Sequence, residues 1–312
     1  DYRAVIQRNY PTVTDAIAWG GEDNLPADFG KVYASLVFED GTTEAQKTAV
    51  KNSIVQDVSN NLSILSIDTV FEDPQTTFLE VIVTFNFDPN LTGQTVKSTE
   101  AIVFSQVQSY VNNNLKKFGG IFRRSEMLGE IDDINDAVLN SRASINLQQR
   151  FVPNLLQSTS YKIYFPVELA TSPTAFVVTS STFIFNDKVC FIRNALNDTK
   201  LQIINSLGDV EIDNIGSYEP LTGTVNLTGF APTAVTAGTN YVKITATPAN
   251  QSTIRPLRSY ILDLDEGTSF ATSVVDRQRT EITLGGASGV TSSATGAPNT
   301  YVSSPSIPSS GY

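Results

Sequence analysis

Acidic side chains crowd one stretch of the chain, residues 125–136, and they are the first candidates for chemistry. They include Glu130, Asp132, Asp133 and Asp136. Two convergent carboxylates could share general acid and base work or bind a divalent cation. However, Leu128, Ile131 and Ile134 recur at helical spacing, which predicts a helix with these acids on its outer, solvated side. The alternative, an enzyme using Glu130 and Asp133, needs both carboxylates in one pocket.

Other catalytic residue types are scarce. The chain contains no histidine, which excludes Ser-His-Asp triads, Cys-His pairs and His-ligated zinc or haem. The single cysteine, Cys190, lies in the apolar run 188–192, which predicts a buried strand thiol rather than a nucleophile. The Gly/Asp/Glu-rich segment 20–26 has too few oxygen ligands for a metal loop, so we interpret it as a turn that places Trp19 in a core or interface. We therefore predict no enzymatic activity and no cofactor.

Charge and length restrict the partners. The 312 residues carry a formal net charge of -11, so the average field repels nucleic acid and anionic membranes. No apolar run approaches the roughly 20 residues that span a bilayer, which predicts a chain that is not bound to a membrane. The chain begins at Asp1 and its only methionine is Met127, from which we expect a fragment of a longer protein.

Periodicity predicts one compact unit in the first half of the chain. Its predicted elements are a strand at 31–38, a helix at 43–60, strands at 65–71 and 79–87 that form a hairpin, a helix at 98–117 and a strand at 121–124. Thr43 and Gln46 fit a capping box at the start of the first helix. A βαββαβ order predicts a ferredoxin-like antiparallel sheet with both helices on one face.

The opposite face of that sheet is mixed in character. It would carry Tyr33, Val37, Phe78 and Ile82 among polar residues. Such a face can pack against flanking segments of the same chain or against another subunit, and both readings stay open. With Trp19, these four residues are our candidates for an interface.

The rest of the chain predicts an α+β protein with a β-rich second domain. The expected organisation is an N-terminal helix and Trp-loop segment at 1–30, the βαββαβ unit at 31–125, a helix-strand connector at 126–157, a β-rich domain at 158–284 and an uncharged tail at 285–312. Past Glu281 the chain has no charged side chain, and such a segment orders by docking on a partner. Tyr301 and Tyr312 are the interface candidates in that tail.

Several short runs, spread in order over nearly the whole chain, resemble one family. They are 1–3, 11–13, 18–24, 30–33, 179–183, 188–190, 215–218, 222–225, 249–252 and 261–265. The run Ala18-Trp19-Gly20-Gly21-Glu22-Asp23-Asn24 is typical of them. Together they resemble the baseplate wedge proteins of T4-like contractile-tailed phages, a baseplate J-like family, in their C-terminal part.

The resemblance implies a structural role in the virion, after assembly in the host bacterial cytoplasm. Family members form a ring around the tail hub, dimerise with neighbouring copies, and rearrange when sheath contraction is triggered. The implied partners are the chain itself, as a homodimer and ring, and other wedge proteins including the lysozyme-like sheath initiator. The alternative is a tail-fibre or surface carbohydrate-binding β module, which would need an exposed platform built from Tyr161, Tyr164, Tyr218 and Tyr241.

Overall fold

The computed structural model describes residues 2–24, 26–39, 41–61, 68–171, 175–236, 238–256 and 259–277. Within them the chain forms four α-helices and eighteen strands in three sheets. The helices are α1 Tyr2–Asn9, α2 Glu44–Asn61, α3 Val96–Asn114 and α4 Arg124–Asp132. None of these described helices is long and apolar enough to cross a membrane.

The strands fall into a first half interrupted by helices and a second half without them. The first six are β1 Val13–Gly20, β2 Lys31–Phe38, β3 Asp68–Phe71, β4 Gln75–Phe87, β5 Phe122–Arg123 and β6 Val138–Phe151. The next six are β7 Thr159–Tyr164, β8 Val178–Ser180, β9 Phe183–Phe185, β10 Lys188–Asn194, β11 Lys200–Asn205 and β12 Val210–Glu219. The last six are β13 Thr224–Phe230, β14 Ala234–Val235, β15 Val242–Ala246, β16 Thr253–Ile254, β17 Tyr260–Leu264 and β18 Phe270–Val275.

A three-stranded sheet, β1-β2-β3, opens the chain. β1 and β2 are antiparallel and β3 runs parallel to β2. One face of this sheet joins α1 and α2 in a small core that includes Ile6, Ala16, Leu36 and Ile54. The predicted capping box is present at the start of α2. The backbone N–H of Gln46 donates to Thr43 Oγ1, and the backbone N–H of Thr43 donates to Gln46 Oε1.

The long strand β4 lies inside the large sheet. β6 pairs antiparallel with it on one side, and β17 and then β18 pair parallel with it on the other. Its alternate side chains are fully buried, as strict period-two patterning requires. They pack against buried residues of α3 and α4, so this half of the sheet is covered by helices on one face.

The same sheet continues from β6 through the second half of the chain in the order β15-β8-β10-β11-β12-β13-β7. Two tight turns close hairpins in this part of the sheet. Asn186 and Asp187 adopt positive φ between β9 and β10, and the Gly208 amide donates to the Asn205 carbonyl between β11 and β12. A separate two-stranded sheet joins β5 to β16.

The structure confirms a mixed α+β chain, but it does not confirm the ferredoxin-like unit. The predicted hairpin is wrong: β3 pairs with β2, whereas β4 belongs to the large sheet. The strand predicted at 121–124 is shorter and pairs with β16 instead of the central sheet. Periodicity determines which face of a strand is buried but not which strand lies beside it, and the Asp73-Pro74 break lets β4 leave the first sheet.

The predicted domain boundaries stay a prediction. Strands from both sides of residue 158 share the large sheet. Tyr301, Tyr312 and the whole predicted tail at 285–312 lie outside the described residues.

Candidate assembly surfaces

The pairing of β1 with β2 brings together two of the predicted interface residues. Trp19 lies opposite Tyr33, and their rings stack with centroids 5.9 Å apart and planes inclined by 18°. Both side chains are half-buried. Val37 lies further along β2, paired with Asp15 on the same face. This face of the three-stranded sheet, on the side away from α2, therefore carries Trp19, Tyr33 and Val37.

Polar contacts fix the aromatic pair to the loop that joins β1 to β2, residues 21–30. The Trp19 indole nitrogen donates to Asn24 Oδ1 at 2.8 Å. The Tyr33 hydroxyl and the Lys31 ammonium both donate to Asp28 Oδ2, at 2.7 and 2.8 Å. Hydrogen bonds from Lys31 and Tyr33 hold the pKa of Asp28 below its ordinary value, and the bond to Asp28 raises the pKa of Tyr33.

Phe78 and Ile82 lie on a different sheet, on the face of β4 away from the helices. The Arg150 guanidinium carbon lies 3.5 Å from the centre of the Phe78 ring, so the chain itself covers that ring. Ile82 pairs with Phe270 of β18, whose side chain is 48% exposed. The predicted interface residues thus form two groups on two sheets, and their role in contacts with other proteins stays a prediction.

A buried charge cluster supports the Phe78 surface. Asp265 is 4% exposed and forms ion pairs with Arg150, at 3.3 Å, and with Lys243. Burial alone would raise the pKa of Asp265, but the hydrogen bond from Lys243 and the nearby positive charges outweigh it, so the pKa lies below its ordinary value. The carboxylate holds β15, β6 and the β17–β18 turn together.

The residues considered for chemistry do not converge in the described parts of the chain. Glu130 accepts a hydrogen bond from the Gln106 amide at 2.9 Å, and Asp133 is exposed at the end of α4. No group of three or more His, Cys, Asp or Glu residues within the described ranges is placed to hold a metal ion. Cys190 is fully buried on β10, as predicted, and burial raises the pKa of its thiol.

The four tyrosines of the carbohydrate-binding alternative do not form a platform. Tyr218 is 4% exposed, and Tyr161 packs against Phe151 with ring centres 4.6 Å apart. Tyr241 is half-buried beside Arg150. Tyr164 alone among the four is largely exposed, at 48%. Three of them serve the packing of this chain, which removes the feature that the alternative requires.

Two stretches of the chain match known protein families. Residues 1–70 match the model described as baseplate structural protein gp6, C-terminal domain I, and residues 75–150 match the model described as baseplate structural protein gp6, C-terminal domain III. Both stretches belong to the C-terminal region of the gp6 baseplate wedge proteins. The resemblance to wedge proteins of T4-like phages is confirmed. A search of curated proteins found no match.

The two gp6 matches meet between β3 and β4, where the chain passes from the first sheet to the second. The domain I match contains β1, β2 and all of β3 except its last residue, and the domain III match contains β4, α3, α4 and nearly all of β6. The two matches support a structural role for the chain in the phage tail baseplate, which is part of the virion.

Sequence patterns missed the most exposed apolar side chains among the described residues. They are Phe29 at 79% exposure, Leu156 at 76%, Leu207 at 87% and Leu221 at 80%. All four lie in loops or turns. Leu156 also holds a positive φ of 60°, a conformation that costs a branched side chain energy. Periodicity could not find them because it describes strands and helices only.

Proposed function

We propose that the protein is an inner wedge subunit of the baseplate, which helps to hold the wedges in a ring around the tail hub. It acts through contacts between protein copies and between different proteins, and it has no catalytic role. The gp6 matches over 1–70 and 75–150 are the observation that carries this proposal. The rearrangement of the ring at sheath contraction is part of the same proposal.

The geometry supports contacts at several separate places. The exposed apolar residues Phe29, Leu156, Leu207 and Leu221 lie on four different loops. Large side chains of this kind fill pockets on partner proteins and contribute a large share of binding energy. A subunit that changes between two ring states needs several contacts of modest, comparable strength rather than one dominant contact. Four separate apolar anchors suit that requirement.

The proposed partners are a second copy of this chain and other wedge proteins, including the lysozyme-like sheath initiator. The half-buried face with Trp19, Tyr33 and Val37 and the face with Phe78 and Ile82 are the proposed contact surfaces. The tail at 285–312 is proposed to dock on a partner through Tyr301 and Tyr312. These contacts would close a symmetric ring from repeated interfaces.

Sedimentation velocity over a range of protein concentrations tests whether the chain associates with a second copy of itself. We expect the 33.8 kDa chain to form a dimer as its concentration rises. Ile82→Glu should weaken this dimer, whereas Thr228→Glu, a matched control at an exposed position on a strand of the same sheet, should not, which separates the surface with Phe78 and Ile82 from a general charge effect. A strict monomer at high micromolar concentration would contradict self-association.

A further inference from the structure

The loop between β1 and β2 presents Phe29 on a fixed frame. The Asp28 amide donates to the Gly21 carbonyl at 2.8 Å. A Cβ at position 21 would lie 1.9 Å from the Asp28 carbonyl oxygen, so only glycine permits this closure. Gly30 then turns the chain at a φ of +82°. Phe29 is left 79% exposed between two fixed residues.

The side chains beneath the loop hold it from below. Asp28 is bonded to Lys31 and Tyr33, and Asn24 to the Trp19 indole. Trp19 and Tyr33 stack on each other across β1 and β2. An apolar side chain on a frame ordered in this way loses little conformational entropy when it binds, because the frame is ordered already. Phe29 therefore has the properties of a binding anchor rather than of a loosely held surface residue.

Acidic residues lie on the loop that carries this anchor and at the start of β3, which is hydrogen-bonded to Gly30. Glu22 and Asp23 are exposed in the short 3-10 helix Gly21–Asp23, and Asp28 is half-buried beside Phe29. Asp68 is exposed where β3 pairs with Lys31 of β2, and its amide donates to the Gly30 carbonyl. Lys31 is the one basic residue among these four acids. The rim thus keeps a clear excess of negative charge at neutral pH.

We propose that Phe29 inserts into an apolar pocket, rimmed by lysine or arginine, on a different protein of the baseplate. The acidic rim selects this occupant: a second copy would bring the same acids face to face, and the chain carries a formal net charge of -11. Like charges across such a contact oppose self-association, whereas a basic rim pairs with Glu22 and Asp68. This inference rests on the proposed baseplate role and adds one contact and its chemistry.

Site-specific photo-crosslinking in purified tails tests the contact. p-Benzoylphenylalanine replaces Phe29 in one sample and, in a control sample, Leu196, an exposed apolar residue that is not one of the proposed anchors. We expect the adduct of position 29 on a different baseplate protein, at apolar residues that have lysine or arginine beside them. An adduct to a second copy, to the chain itself or to an acidic segment overturns the inference. So does a tail that contains the chain but gives no adduct at position 29, although the baseplate role then stands. A tail that lacks the chain contradicts both.

A binding titration with the purified partner, once crosslinking has identified it, measures how much Phe29 and the acidic residues each contribute to affinity. Phe29→Ala is expected to weaken binding about 30-fold, the effect of losing a central anchor. Glu22→Gln combined with Asp68→Asn is expected to weaken binding several-fold and to reduce its dependence on NaCl. Both changes are at exposed positions and should leave the unfolding midpoint unchanged. Binding by Phe29→Ala within about 3-fold of the unmodified chain would contradict the anchor role.

Discussion

A single buried carboxylate joins the two gp6-matched parts of the chain, and its removal gives a sharp test of the fold. Asp15 of β1 is 3% exposed. It accepts hydrogen bonds from the Phe118 amide, just beyond α3, and from the Ala16 amide, both at 2.8 Å. It also forms an ion pair with Arg3 at 2.8 Å. The bond to Phe118 links the first sheet to the helical layer of the second across 103 residues of sequence.

Asp15→Ala should lower the free energy of unfolding by about 2–6 kcal/mol. A buried amide left without an acceptor costs about 1–3 kcal/mol, and both Phe118 and Ala16 lose theirs. The Arg3 side chain is 50% exposed, so water replaces its partner and the lost ion pair adds less than about 1 kcal/mol. Asp15→Asn should lower the free energy of unfolding by less than Asp15→Ala does, because the asparagine side-chain oxygen can still accept one hydrogen bond.

Urea unfolding and amide hydrogen exchange provide the measurements. Protection of the Phe118 amide should fall in Asp15→Ala even where the rest of α3 stays protected. The matched control is Asp73→Ala, which removes an exposed ion pair with Lys51 and should change the free energy of unfolding by less than about 1 kcal/mol. If Asp15→Ala lowers the free energy of unfolding by less than about 1 kcal/mol and the Phe118 amide stays protected, Asp15 does not join the two parts of the chain.

Two further predictions concern the second sheet and its loops. Asp265→Asn should destabilise the fold by about 3 kcal/mol at pH 7, because it leaves Arg150 and Lys243 without their buried partner. Since the folded pKa of Asp265 lies below its ordinary value, this contribution is complete above the ordinary pKa and is lost as pH falls through the folded pKa. Acid titration of unfolding should therefore be steeper for the unmodified chain than for Asp265→Asn, and equal slopes would contradict the assignment. Leu156→Asn should raise the thermal midpoint, because asparagine tolerates the positive φ at a cost about 1 kcal/mol lower; an unchanged or lower midpoint would argue against backbone strain there.

The sequence predicts the elements of this fold much better than their arrangement. Helices α2, α3 and α4 lie within a few residues of the predicted ranges, since apolar periodicity and the Thr43 cap are local signals. Strand pairing is not local. β17 lies beside β4 although some 185 residues separate their sequences, and no alternation within either strand specifies that neighbour.

The candidate surfaces also combine features that a local sequence pattern predicts with features that depend on strand pairing. Alternation placed Tyr33 and Val37 on one face of β2, but no sequence signal paired Trp19 with Tyr33, whose rings the structure stacks. Alternation could not show that Arg150 covers the Phe78 ring, because that contact depends on the pairing of β4 with β6. Phe29 escaped notice since a loop has no period, although its place between Asp28 and Gly30 is a signal for a turn.

Crosslinking mass spectrometry of purified phage tails tests the structural role most directly. We expect lysines of this chain to crosslink to a second copy and to at least one other baseplate protein. Lys188 and Lys97, which are exposed on different elements, are suitable reporters of separate surfaces. Tails that lack the chain, or that yield crosslinks only within single copies of it, would contradict its structural role in the baseplate.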